Sequence, residues 1–142
     1  VLIGVYKMSY LSMQQVFNGF VEAMYFADGA DADFKDDEGF YMDGQFNSQY
    51  DLSNQARINI SLLLETIIPK LPDSNNELTL DRIGNCIYYH IVGHGTGFED
   101  DLDLSDEDKE QLYQVFFNSV FLEIYDNEDT QEVEFSYSEN WS

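Results

Sequence analysis

"NCIYYHIV", residues 85–92, is the stretch on which the fold turns. It is short, apolar and rich in aromatic and β-branched side chains, and Gly84 and Gly93 bound it. That composition argues for a buried strand. A strand here follows two helical segments and precedes a third, so the chain reads as a mixed α+β fold.

The neighbouring segments are read outward from it. In "LSMQQVFNGFVEAMYF" (11–26), Met13, Val16, Phe17, Phe20, Val21 and Met24 recur at helical spacing, with Ser12 available as a cap. Residues 28–50 mix acids, glycines and aromatics without a period and read as a long loop, which Phe34, Phe40, Tyr41 and Phe46 could pack down. "DLSNQARINISLLLETIIPKL" (51–71) is the clearest helix. Ser53 is placed to cap it, Ile60, Leu63, Leu64, Ile67 and Ile68 form its apolar stripe, and Pro69 and Pro72 end it.

Beyond residue 104, Ser105 and Asp108 make an S-x-x-D start signal, and acids in the first turn suit the helix dipole. "VFLEIYD" (120–126) and "QEVEFSY" (131–137) read as strands joined by the turn "NEDT". In the second, Val133, Phe135 and Tyr137 alternate with Glu132, Glu134 and Ser136, so its outer face is acidic. The expectation is one compact α+β domain over residues 9–142, a small antiparallel sheet packed with about three helices. Met8 is a candidate natural start, with residues 1–8 a flexible extension.

A chain of 142 residues with 44% hydrophobic residues can bury a core. Its charge is unusual: 28 Asp and Glu against 6 Lys and Arg, a formal net of −22. Acidic disordered chains lack aromatics, whereas this one has eleven Phe, ten Tyr and one Trp. Such a field repels nucleic acid and anionic membrane and attracts basic proteins. No segment approaches the roughly 20 apolar residues of a membrane span. The start "VLIGVYKMSY" is too short and too weakly basic for a signal peptide. The single Cys86, in an apolar setting, reads as a buried thiol in a reducing, cytoplasmic compartment.

The acids fall in two blocks. Residues 99–142 hold 15 acids and one lysine, and residues 22–51 hold nine acids and one lysine. Neither fits a calcium loop, which needs Gly at its sixth position and Glu at its twelfth. "DADFKDDEGFYM" (31–42) has Asp36 and Met42 there, and "DLDLSDEDKEQL" (101–112) has Asp106 and Leu112. Cys86, His90 and His94 could be imagined as a zinc set, but in a strand His94 would lie beyond a turn and a fourth ligand is undefined. A nucleophile arrangement of Cys86, a histidine and Asp100 has no support in the spacing. No metal or cofactor is therefore expected. Glycines around His94 could cradle phosphate, yet the acids that follow would repel it. Gly93, His94, Gly95, Gly97 and Phe98 are better read as a structural turn in which His94 bonds backbone.

"GNCIYYHIVGHGTGFEDD" (84–101) resembles the signature of a family of small uncharacterised bacteriophage proteins, approximately G-H-D-F-W-L-T-R-N-G-H-G-A-G-F-W-D. The residues that carry the match are Gly93, His94, Gly95, Gly97, Phe98 and Asp100, with Thr96 in place of Ala. Asn85 and Cys86 replace His-Asp, Ile91 replaces Arg and Glu99 replaces Trp. In outline the likeness spans residues 17–137 and allows "FVEAMYF" (20–26) to be a strand or a helix. It implies a phage origin and a host-cytoplasmic setting, and it brings no activity with it.

Charge and resemblance together favour a non-enzymatic inhibitor that mimics nucleic acid and blocks a basic DNA- or RNA-binding host protein of restriction, CRISPR or repair. The analogy to acidic anti-restriction proteins is one of charge and size. The expected contact residues are Asp100, Asp101, Asp103, Asp106, Glu107, Asp108 and Glu110, with a second patch at Asp31, Asp33, Asp36, Asp37 and Glu38. An acidic interaction module without mimicry, a homodimer, and a small hydrolase using His94 remain open alternatives.

Overall fold

The computed structural model describes residues 10–30, 38, 46–71, 79–92, 105–116 and 120–139. In order the elements are α1 (Tyr10–Asp28), β1 (Gly29–Ala30), β2 (Phe46–Asn47), β3 (Asp51–Leu52), α2 (Asn54–Ile67) with a 3-10 turn at Ile68–Lys70, α3 (Leu80–Val92), α4 (Asp106–Phe116), β4 (Val120–Asn127) and β5 (Glu132–Glu139). The α+β class is as expected. Residues 85–92, however, are the body of helix α3 and not a strand.

The reason lies at Gly84. Counted from Leu80, the residues Ile83, Gly84, Ile87, Tyr88 and Ile91 recur at the 3, 4, 7, 8 and 11 spacings of one helix face. Of these, Ile83, Gly84, Ile87 and Tyr88 are buried. Gly84 is therefore the middle of a contact surface and not the boundary of a strand. A Cβ built there would lie 2.1 Å from the Val16 carbonyl oxygen, and one on Gly19 would lie 1.9 Å from that of Asp81. Helices α1 and α3 thus cross with backbone against backbone. Asn85 locks the crossing by donating from Nδ2 to the Gly19 carbonyl at 2.6 Å.

Helix α1 turns Val16, Phe20, Ala23 and Met24 into the core. It is already helical at Tyr10, so Ser12 lies within it instead of capping it, and "FVEAMYF" is helix throughout. Phe20 meets Tyr88 of α3 edge-on at 5.3 Å and Phe135 of β5 at 5.9 Å. One phenyl ring therefore joins both helices to the sheet.

Helix α2 begins as its sequence predicts. Ser53 Oγ accepts from the Ala56 amide at 3.0 Å, and Ala56, Ile60, Leu63, Leu64 and Ile67 are buried. Pro69 falls in the 3-10 turn that ends the helix. Ser53 also donates its own amide to the Val133 carbonyl at 3.0 Å, tying the start of α2 to β5.

The three-stranded sheet has the order β3-β5-β4 and is mixed, not purely antiparallel. Strands β4 and β5 form the expected hairpin, while β3 runs parallel to β5. The chain leaves β3 directly into α2, so Leu52 slots beside Val133 and β3 stops after two residues. Past that point, Asn59 of α2 takes over by donating from Nδ2 to the Phe135 carbonyl at 2.8 Å. Strands β1 and β2 form a second, parallel pair. In the hairpin turn, Gln131 adopts φ 56°, a left-handed conformation more natural to glycine, and its amide bonds the Asn127 carbonyl at 2.8 Å.

Two stability tests follow from these contacts. Replacing a helical glycine by alanine normally gains up to about 1 kcal/mol, but Gly19→Ala or Gly84→Ala should lose about 2 kcal/mol or more because backbone must move apart. A urea midpoint equal to or above the parent's would contradict the crossing. Ser53→Ala should cost about 1 kcal/mol through the lost cap, measured in the same way.

Candidate functional site

Strand alternation sorts the hairpin into two faces. On β4, Val120 is buried and Leu122 and Ile124 are packed against the core, whereas Phe121, Glu123 and Tyr125 point to solvent. Phe121 is 55% and Tyr125 49% exposed, unusual for such large rings. Their partners across the ladder are Ser138 for Phe121, Ser136 for Glu123 and Glu134 for Tyr125. Asp51 of β3 stands beside Glu132 on the far side of β5. Residues 120–139 hold seven acids and no Lys or Arg.

These acids do two different jobs. Asp126 accepts the Asn47 amide through both oxygens, at 2.9 and 3.1 Å, and so joins β2 to β4. Glu128 accepts the Tyr50 hydroxyl at 3.1 Å, and Glu134 Oε1 is hydrogen-bonded by the Ser53 hydroxyl. Asp28, buried at the end of α1, accepts the Tyr88 hydroxyl. Those carboxylates help to hold the fold together. Asp51, Glu123 and Asp129 are instead exposed, and Asp51 stands directly beside the half-buried Glu132, a like-charge pairing that costs stability. A cationic partner would relieve that repulsion.

Tyrosines register the surrounding field. Burial, reinforced by Asp51 and Asp126 and opposed by Arg57, pushes the Tyr25 phenol up to about 12. Its hydroxyl donates to the Tyr50 carbonyl at 2.7 Å, and its ring meets Phe46 edge-on at 5.0 Å. Tyr88 is raised further by burial and by its bond to Asp28. Burial, with Glu139 and Glu65 adding to it, also raises Tyr137.

The acids singled out in sequence are placed only in part. Asp106, Glu107, Asp108 and Glu110 share the start of α4, with Asp106, Glu107 and Glu110 exposed and Asp108 half-buried. Ser105 Oγ accepts the Asp108 amide at 3.2 Å, the expected cap, so the first-turn acids also favour the helix dipole. Gln111 donates from Nε2 to the Lys70 carbonyl at 2.8 Å and anchors α4 to the end of α2. Glu38 is exposed in a turn. Asp31, Asp33, Asp36, Asp37, Asp100, Asp101 and Asp103 lie outside the described residues, as do Gly93, His94, Gly95, Gly97 and Phe98.

In the sequence Glu132 and Glu134 read as outward, but nothing there places the hairpin in the contact set. Alternation alone shows one strand's face. Which acids of β3 and β4 share that face depends on register, which appears only in the folded sheet. Cys86 is fully buried on α3, out of reach of a substrate, and His90 lies one turn further along the same helix. Among the described residues no group of three or more His, Cys, Asp or Glu is arranged to hold a metal ion. Among the same residues no helix is long and apolar enough to cross a membrane. No family model matches the chain, and neither a curated protein nor a solved structure matches it.

The Tyr25 shift sets an alkaline prediction. In the unfolded chain this phenol ionises near its ordinary 10.0, and in the folded chain near 12. Its raised value therefore contributes stability that is present below pH 10 and lost as pH rises toward 12. Tyr25→Phe should flatten the fall in stability across that window, followed by phenolate absorbance and thermal midpoint together. An unchanged slope would assign the loss to other groups.

Proposed function

We propose that this chain is an acidic inhibitor that imitates nucleic acid and occupies the groove of a basic DNA- or RNA-binding protein. The setting proposed is a bacteriophage acting on restriction, CRISPR or repair machinery in the host cytoplasm. That setting rests on the resemblance of residues 84–101 alone. The observation that carries the inhibitor reading is the excess of acids on regular elements: five acids and no Lys or Arg on strands β4 and β5, and four acids with one Lys at the start of α4.

Spacing shows how much charge the reading requires. The outward face of the hairpin carries three acids, Glu123, Glu132 and Glu134, and strands of this length run about 27 Å, so the face averages one charge per ~9 Å. Duplex DNA carries one per ~1.7 Å of axis. The hairpin face by itself thus reaches about a fifth of the duplex density, and the acids of α4 are needed as a further contribution. Phe121 and Tyr125 offer flat rings where a nucleic-acid-binding protein would otherwise meet bases.

The same rings also favour a second reading, an acidic module that docks on a basic protein away from its nucleic-acid groove. Competition separates the two. Under mimicry, double-stranded DNA or single-stranded RNA displaces the chain from its partner, and affinity falls by tenfold or more between roughly 50 and 200 mM salt. Charge-neutral Asn or Gln at Asp106, Glu107 and Glu110 should weaken binding without unfolding the chain. Salt-dependent binding that neither nucleic acid displaces would select the second reading, and binding indifferent to salt would exclude both.

A further inference from the structure

The outer face of the hairpin is more than a negative patch, because its one central aromatic is framed by carboxylates on two sides. Tyr125 is the direct cross-strand partner of Glu134, a position that brings Cβ atoms to about 5 Å. Glu123 precedes Tyr125 by two residues on the same strand and the same face, about 6.8 Å away. Glu134 Oε1 is engaged by the Ser53 hydroxyl, which steadies the carboxylate. Phe121 continues the face along β4.

Resting on the proposed engagement of a basic protein, we propose that Glu123, Tyr125 and Glu134 receive an arginine side chain of that partner, its guanidinium stacked on the Tyr125 ring between the two carboxylates. The chemistry favours arginine over other occupants. A guanidinium is flat, weakly hydrated and carries N–H donors in its plane, so it can stack on a ring while bonding carboxylates at its edges. A lysine ammonium satisfies the carboxylates but stacks less well. Nucleic acid is repelled, and a second copy would bring one −22 chain against another. Glu132, two residues beyond Glu134 and beside Asp51, gives a following cation its own place on the same face. The surface thus suits a segment with cations at alternate positions.

The test uses the full chain and two fluorescent capped peptides, one alternating arginine with serine and one alternating lysine with serine, followed by fluorescence polarisation at low salt. The arginine peptide should bind about fivefold more tightly than the lysine peptide. Tyr125→Leu and Glu123→Gln, both at exposed positions, should each weaken the arginine peptide by about fivefold and erase most of the preference, with unchanged circular dichroism and thermal midpoint. No binding of the arginine peptide, equal affinity for both peptides, or variants that bind like the parent would overturn the proposal. Sedimentation showing a dimer that Tyr125→Leu dissolves would assign the face to a second copy and overturn it as well. The two readings fail separately: if nucleic acid displaces the partner while both variants bind arginine normally, only the arginine site is lost. An arginine preference that depends on Tyr125, with no displacement by nucleic acid, leaves the site standing and removes mimicry.

Discussion

The contact between the Gly19 and Gly84 backbones is the constraint from which the rest of the arrangement follows. With no side chain at either position, α1 and α3 approach until the Asp81 and Val16 carbonyls occupy the space where Cβ atoms would stand. That approach brings Phe20 within 5.3 Å of Tyr88, and the same ring reaches Phe135 on β5. Moving the helices apart by one methyl would disturb three elements at once, because close-packed interiors pass displacement on instead of absorbing it. The hairpin that carries the outward acids is seated against this pair.

A chain of net charge −22 folds here by giving several carboxylates internal work. Asp28, Asp126, Glu128 and Glu134 each accept a hydrogen bond from another element, so part of the negative charge is spent on connecting α1 to α3, β2 to β4, and β3 and α2 to the hairpin. Carboxylates that accept donors in this way are among the stronger hydrogen-bonding groups a protein has. The outward acids, by contrast, repel one another, as Asp51 and Glu132 do across the ladder. Glu134 belongs to both sets, bonded to Ser53 through one oxygen while standing on the outward face opposite Tyr125, and the functional question narrows from all the acids to a few on the hairpin face and the first turn of α4.

Local signals proved readable at several points where one residue and its near neighbours settle the outcome. The Ser53 cap on α2, the Ser105 cap on α4 and the alternation of Val133 and Phe135 with Glu132 and Glu134 all stand as their sequences predict. Misreading began at Gly84, where a glycine in mid-helix looks like a strand boundary if only residues 85–92 are weighed. Including Leu80 and Ile83 reveals the helical period, but the reason for a glycine there is the partner helix, which no local window contains. Strand β3 was hidden for a similar reason. Two residues ahead of a capped helix have no period, and they pair with β5 some 80 residues later.

By itself, then, the sequence determined the α+β class, the two capped helices, the hairpin and an acidity too great to ignore, since these depend on spacing, capping chemistry and composition. Tertiary structure alone decided that Gly84 stands in the middle of a helix contact, that the sheet is mixed, and which acids accept bonds from other elements. Each of those outcomes is a long-range pairing: backbone against backbone at the glycines, strand against strand at Asp51 and Glu132, hydroxyl against carboxylate at Ser53 and Glu134. Such pairings exist only once distant segments meet, and so they leave no periodic trace along the chain.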